Sequence, residues 1–372
     1  ATTKHIEVGT GVIDMRYENP LYLAEEAASL YQLSGGRVAL GVSRGAPEVA
    51  ERGWEAFGYT GEAGNGADVA RAHLEAFMEA VDGKGFATAA PLDKQYPNMF
   101  QPGSALPVFP MAPELRKHIF YGSGTHAPAE QTARDGLNLM SSTLVSETTA
   151  QTLGEIQVDQ INRYRAAWKE AGHDWTPRVS VSRSIFPIVD GADMARFGMQ
   201  GSGSDQVGML PDVGASTFGR TYAAEPDKLI EQLKADPAVM AADTLLITIP
   251  TGMGVDVNVK ILENFATHVA PAPSVAVSSA AFVSVTSTHS RGGRDSTTSS
   301  APGAAARAAA SSAVMSAPAS AGVRSCRASF EPAQTTTRSA SPGTVSGTVA
   351  VTSAISIPPW PRTATGSSST SD

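Results

Sequence analysis

Two hydrophobic rhythms alternate along residues 1–272. Short runs rich in Val, Ile, Leu and Phe at 5–13, 37–43, 118–121, 137–142, 178–189 and 244–250 predict six strands. Between them apolar residues recur about every 3.6 positions, which predicts helices over 20–33, 69–81, 127–135, 150–171, 226–235 and 255–268. Pro20 suits a first helical turn, and Gly35 followed by Gly36 ends that helix. The Pro- and Gly-rich stretch 83–113 predicts irregular chain with a hairpin, and the polar stretch 190–219 predicts a loop. Apolar residues at successive strand positions indicate a parallel sheet buried on both faces. A doubly wound sheet and a (β/α)8 barrel both satisfy this βα alternation.

Composition narrows the class. The chain has 372 residues, 42% of them hydrophobic, enough for a sizeable core. No window approaches the roughly 18 uncharged apolar residues that a membrane span needs. The net charge of −8 would repel a polyanion, so nucleic acid is not an expected partner. The single cysteine, Cys326, can form neither an internal disulfide nor a Cys-rich metal site, which points to a reducing cytoplasm.

Near residue 272 the composition changes. Ser, Thr and Ala make up 57 of the last 100 residues, and the basic residues there are seven Arg and no Lys against three acids. Such a segment buries too little surface to offset its ordering entropy, so the expected division is a folded domain over 1–271 and a disordered tail over 272–372. The Arg-only basicity also matches GC-rich DNA read in a shifted frame, with a basic interaction tail as the rival. The opening Ala-Thr-Thr-Lys shows neither an initiator Met nor a secretory pattern, so the chain is expected to begin within a longer gene.

Candidate chemistry gathers after the strands. Gly9-Thr10-Gly11 lies in the second half of the first one, but Asp14 stands where a dinucleotide fingerprint needs its third glycine. The same glycines at a barrel rim admit a flat ligand, or simply form a turn. Gly122-Ser123-Gly124-Thr125, between a strand and a helix start, offers N–H groups and hydroxyls to a phosphate, or forms an ordinary helix cap. Arg44, just beyond another strand, can fork onto two phosphate oxygens or make a surface ion pair. The seven histidines show no metal-ligand spacing on one helix, so no metal is expected. No Gly-x-Ser-x-Gly elbow or P-loop occurs.

Three segments carry a resemblance. GTGVIDMRYENPLYLAEEAASLYQLSGGRVALGVSRGAPE (9–48), IFYGSGTHAPAEQTARDGLNLMSSTL (119–144) and AADTLLITIPTGMGVDVNVKILENFATHVAP (241–271) resemble the bacterial luciferase-like flavin-dependent monooxygenases. The markers are that family's NP-x-x-x-AE helix, LSGGR turn and LGxxRG strand end. The resemblance implies a TIM-type (β/α)8 barrel, reduced FMN supplied by a flavin reductase, and O2 chemistry on an aldehyde, alkane or similar small molecule. A deazaflavin with hydride transfer is the alternative within the same superfamily. Intact relatives are expected to be homo-oligomers.

Carried over by position, the resemblance assigns the flavin phosphate to Arg44 and to the turn at Ser123, Gly124 and Thr125. Gly11 and Val12 fall where members hold a non-prolyl cis peptide against the ring. Ser43 falls beside the ring, where luciferase has Cys, and Met140 and Ser141 end a strand that flanks it. The loop 190–219 resembles the region that shapes substrate access.

Relatives begin with two βα units that have no counterpart here, including a segment with a catalytic histidine, so no residue of this chain matches that role. The expected fold is therefore an incomplete barrel of about six βα units whose first and last strands present open edges. A non-catalytic flavin-binding protein or an inactive fragment are the corresponding alternatives.

Overall fold

Six parallel strands pair in chain order: β1 (Glu7–Asp14), β2 (Val38–Ser43), β3 (Ile119–Ser123), β4 (Asn138–Ser141), β5 (Val179–Pro187) and β6 (Thr244–Thr248). They coincide with the six apolar runs of the sequence. The computed structural model describes residues 4–45, 50–96, 99–147, 151–210, 214–250, 252–272, 278–283 and 352–356, all in one compact unit. Among these residues no helix is long and apolar enough to cross a membrane.

The open edges expected at β1 and β6 are paired. Two strands from beyond residue 272, β7 (Ser278–Val283) and β8 (Thr352–Ser356), lie between them; β7 is parallel to β1, and β8 is antiparallel to both β6 and β7. The ring order is β1-β2-β3-β4-β5-β6-β8-β7. An edge strand offers rows of unpaired N–H and C=O groups that any extended segment can match, so this pairing needs no side-chain period in its partner. The expectation of disorder over the rest of the tail, with Cys326, lies outside the described residues.

The helices are α1 (Pro20–Ser34), α2 (Ala67–Val81), α3 (His126–Arg134), α4 (Leu153–Ala171), α5 (Gly191–Phe197), α6 (Pro226–Ala235), α7 (Pro237–Ala241) and α8 (Val255–His268). Asn19 caps α1 by accepting from the Leu21 and Tyr22 N–H groups, and Gly35 ends it at φ +67°. Thr152 and Glu155 form a reciprocal capping box on α4. The expected hairpin in 83–113 pairs Gly85–Thr88 with Ala105–Pro107. The stretch expected to be loop, 190–219, holds α5 and a hairpin of Gln206–Leu210 with Gly214–Phe218, to which Leu144–Val145 adds a third strand. The exposed Val207 and Met209 mark this ribbon as unsupported on one face, and its Gly-rich composition hides it from a periodicity reading.

Strand alternation sorts the core into layers. Val38, Leu40, Val42 and Ile119 face outward against α1 and α2, and Leu139, Val181, Leu245 and Ile247 belong to a second outer core that includes residues of α3, α4 and α8. A small inner cluster of Ala39, Phe120, Met140 and Leu246, with Val12 against it, fills the barrel. Below it the Arg178 guanidinium lies 5.0 Å from the centre of the Phe120 ring and forks onto Glu7, closing the amino end.

Candidate functional site

Parallel strands deliver their carboxyl ends to one rim, and strand register decides which side chains meet there. Asp14 pairs with Ser43, Val42 with Tyr121, Gly122 with Met140, and Ser123 with Ser141. The β1–β2 register shifts between Thr10 and Ile13, and there the Gly11–Val12 peptide is cis.

Four of the anticipated residues converge on the interior. A Cβ placed on Gly122 would stand 3.1 Å from Ser43 Cβ and 3.3 Å from Val12 Cγ1, so Val12, Ser43 and Gly122 close on one another. A Cβ on Gly41 would meet Thr10 O at 2.2 Å and Met140 Cε at 3.1 Å, which brings Met140 to the same wall. Ser43 Oγ accepts from Gly45 N–H at 2.8 Å, which fixes its hydroxyl at the strand end. The result is a rim of small residues, Gly41, Ser43 and Gly122, above an apolar floor.

Two anticipated hydroxyls point elsewhere. Ser141 Oγ donates to Gln160 Oε1 at 2.6 Å, and Ser123 Oγ lies 3.4 Å from Thr132 Oγ1, so both face the helices outside the sheet. The period of two explains this: Phe120 and Met140 face inward, so positions 123 and 141 face outward. Ser123 and Ser141 therefore shape the rim through their main chain.

Arg44 follows β2 and the turn 122–125 ends β3, and these strands are paired, so both emerge at the same rim. Burial pushes the Tyr121 phenol above its ordinary range, while the charges of Arg44 and Arg71 and the Arg44 backbone N–H pull it down. Arg44 is therefore a close neighbour of Tyr121, whose ring packs on the outer face of β3.

Sequence reasoning missed Gln160. Fully buried on α4, its Nε2 donates to Thr125 O at 2.9 Å and to Ser123 O at 3.3 Å while Oε1 accepts from Ser141. Its signal was present: Gln157 and Gln160 are polar residues on the same buried stripe as Ile156, Ile161 and Tyr164. Glu147 was missed as well, and its carboxylate accepts from the His126 N–H at 2.8 Å. Thr125, although the N-cap of α3, makes no capping bond with its side chain.

A cavity of about 220 Å³ opens past the end of β4, along the middle of β5 and at the carboxyl end of β6, lined by Thr143, Ser182, Ser184, Phe218, Gly219 and Thr248 together with Arg183 and Arg220. Ser182 Oγ and Thr248 Oγ1 hydrogen-bond to each other at 3.0 Å within its lining. Arg220 stacks over Tyr222 at 4.6 Å and Arg183 is held by the buried Asp236, so hydroxyls, the Phe218 ring and these two partnered guanidinium groups line it.

A helix-covered barrel of mostly parallel strands, with small residues and a cavity at its carboxyl rim, is the architecture of a TIM-type enzyme. The sequence profile of the luciferase-like monooxygenases matches residues 1–196, more than half of the chain, and the protein belongs to that family. No curated protein matches it. Among solved structures it is similar to the monooxygenase RslO1 from Streptomyces bottropensis, with 19% identity, 72% of this chain and 79% of that one covered, and a TM-score of 0.51. It is also similar to the FMN-bound oxygenating constituent of 3,6-diketocamphane monooxygenase of Pseudomonas putida, at 17% identity, 72% and 80% coverage and a TM-score of 0.47.

Proposed function

We propose that this chain is a flavin-dependent monooxygenase that takes reduced FMN from a separate reductase and uses O2 to oxidise an aldehyde, alkane or similar small organic molecule. The observation that carries the proposal is the meeting of Val12, Ser43, Gly122 and Met140 at the carboxyl rim, with Arg44 and the turn 122–125 leaving the paired strands beside them.

The donor set fits a flavin phosphate. Val12 and Met140 offer an apolar face to a flat ring, with Ser43 at its border and Gly11 next to Val12 in the chain. Arg44 offers a guanidinium fork, and the main chain of Ser123, Gly124 and Thr125 offers the edge of a helix start. Ser141 supports this turn through Gln160. A bound reduced flavin supplies the electron pair for O2 chemistry. The chain's own residues anchor the anion, hold the ring against Val12 and Met140, and present the hydroxyl-lined cavity to the substrate.

Oxygen consumption by the full chain with reduced FMN, with and without a long-chain aldehyde, tests the reading. Substrate-dependent uptake supports it, and FMN binding without turnover marks a binding protein instead. Failure to bind FMN, with a deazaflavin bound in its place by absorbance, moves the assignment to hydride transfer.

A further inference from the structure

The first N–H of α3 is already taken by an anion from within the chain. His126 N–H donates to Glu147 Oε1 at 2.8 Å, and the His126 ring Nδ1 stands 3.4 Å from the same oxygen. The other ring nitrogen, Nε2, is buried without a hydrogen bond, 3.5 Å from Asp159 Oδ2. Helices are ordinarily capped by their own N-cap or third residue, yet Thr125 leaves this duty undone and the carboxylate arrives from 21 positions along the chain. It is brought there by the ribbon: Leu144–Val145 pairs with Thr217 and Phe218, and Ser146 N–H donates to Gly124 O at 2.9 Å.

We propose that Glu147 is an internal competitor for the flavin phosphate, occupying the N–H of His126 until a phosphate-bearing ligand displaces it. The inference rests on the flavin reading above, because it gives that helix start to the cofactor's phosphate. A carboxylate and a phosphate ask for the same donor and carry the same sign, so both cannot hold it at once. The segment at Glu147 also continues from Thr143, which lines the cavity, so releasing the carboxylate loosens one wall of the substrate space. Cofactor affinity and access to that cavity are then coupled through one side chain.

The test compares the full-length wild type with Glu147→Ala and Glu147→Gln. FMN and riboflavin are titrated by fluorescence, and thermal unfolding is followed in inorganic phosphate against chloride at matched ionic strength. Competition predicts that the FMN-to-riboflavin affinity ratio rises on the order of tenfold in Glu147→Ala and less in Glu147→Gln, which keeps an acceptor. It also predicts that phosphate raises the unfolding temperature of Glu147→Ala more than that of the wild type.

Where flavins bind, the ratio decides: an unchanged or lower ratio in Glu147→Ala overturns the competition and leaves the cofactor reading standing. Where neither flavin binds any of the three proteins, the cofactor reading falls and phosphate decides. Selective protection of Glu147→Ala then upholds Glu147 as the competitor of a phosphate other than a flavin's, and equal or absent protection overturns it. A Glu147 that is merely a cap lowers the unfolding temperature of Glu147→Ala without moving the ratio or the phosphate response.

Discussion

The Gln160 side-chain amide donates to the Thr125 carbonyl across 2.9 Å, tying the start of α3 to the middle of α4. The same side chain takes the Ser141 hydroxyl and reaches Ser123 O, so one residue holds the ends of β3 and β4. Gln160→Leu keeps the volume and leaves these buried groups unpaired. Each unsatisfied group costs about 1–3 kcal/mol, so urea unfolding should show a loss of at least about 2 kcal/mol. Gln160→Glu retains the Ser141 bond and loses the two donated ones, and should fall between the two. FMN affinity should follow the same order, because the carbonyls at 123 and 125 set the shape of the turn.

Arg44 supplies the cation proposed for the phosphate, and its removal should separate the phosphate from the ring. Truncating one partner of a buried charge pair costs about 2–5 kcal/mol, so Arg44→Ala should weaken FMN binding by that amount. Riboflavin affinity should change little, since it lacks the phosphate. Arg44→Lys keeps the charge without the planar fork and should recover only part of the loss. Equal FMN affinity in Arg44→Ala and wild type, measured by equilibrium titration, would remove Arg44 from the site.

Six strands and their helices were legible because Val, Ile and Leu runs alternate with 3.6-residue stripes, and burial on both faces makes these signals strong. The same double burial hid the direction of Ser123 and Ser141. In Ile119–Ser123 the inward Phe120 and the outward Ile119 and Tyr121 are all bulky apolar or aromatic residues, so nothing in the sequence says which face is the barrel interior. Positions 11, 12, 43 and 140 come from motif position in the resemblance, and the structure brings Val12, Ser43 and Met140 to one wall. Glu147 and Gln160 escaped because their roles depend on contacts 21 and 35 residues away. The ribbon at 206–218 escaped because exposed alternation in Gly-rich chain resembles loop, and β7 and β8 because backbone pairing leaves no side-chain signature.

Asp236 ties β5 to the start of α7. It receives the Arg183 fork at 2.8 and 3.1 Å and the Tyr222 hydroxyl, and it caps α7 through the Ala238 and Val239 N–H groups. Burial alone would raise its pKa, but Arg183, with Tyr222 and the backbone, outweighs this and holds the carboxyl below its ordinary 3.8. A depressed folded value contributes stability that is complete above the ordinary carboxylate range and is lost as pH falls through the folded value. Asp236→Asn should therefore cost about 3–5 kcal/mol near neutrality by stranding Arg183, and the gap to wild type should narrow as pH falls below about 3.8 in urea unfolding.

Gly41 and Gly122 line the same wall, yet an added methyl should act differently at each. At Gly41 the new Cβ would press against the Thr10 carbonyl, 2.2 Å away, and backbone cannot swing aside. Gly41→Ala must part β1 from β2, with an expected loss of about 1–3 kcal/mol or more in thermal or urea unfolding. At Gly122 the obstacles are side chains, Ser43 Cβ at 3.1 Å and Val12 Cγ1 at 3.3 Å, which can give by a few tenths of an ångström. Gly122→Ala should fold with a smaller loss, while FMN affinity falls because the residues that would border the ring are displaced. Adding Ser43→Gly to Gly122→Ala removes the closer obstacle and should restore flavin binding, whereas Ser43→Ala retains that Cβ and should not. A double variant that binds FMN no better than Gly122→Ala alone would show that this wall does not face the cofactor.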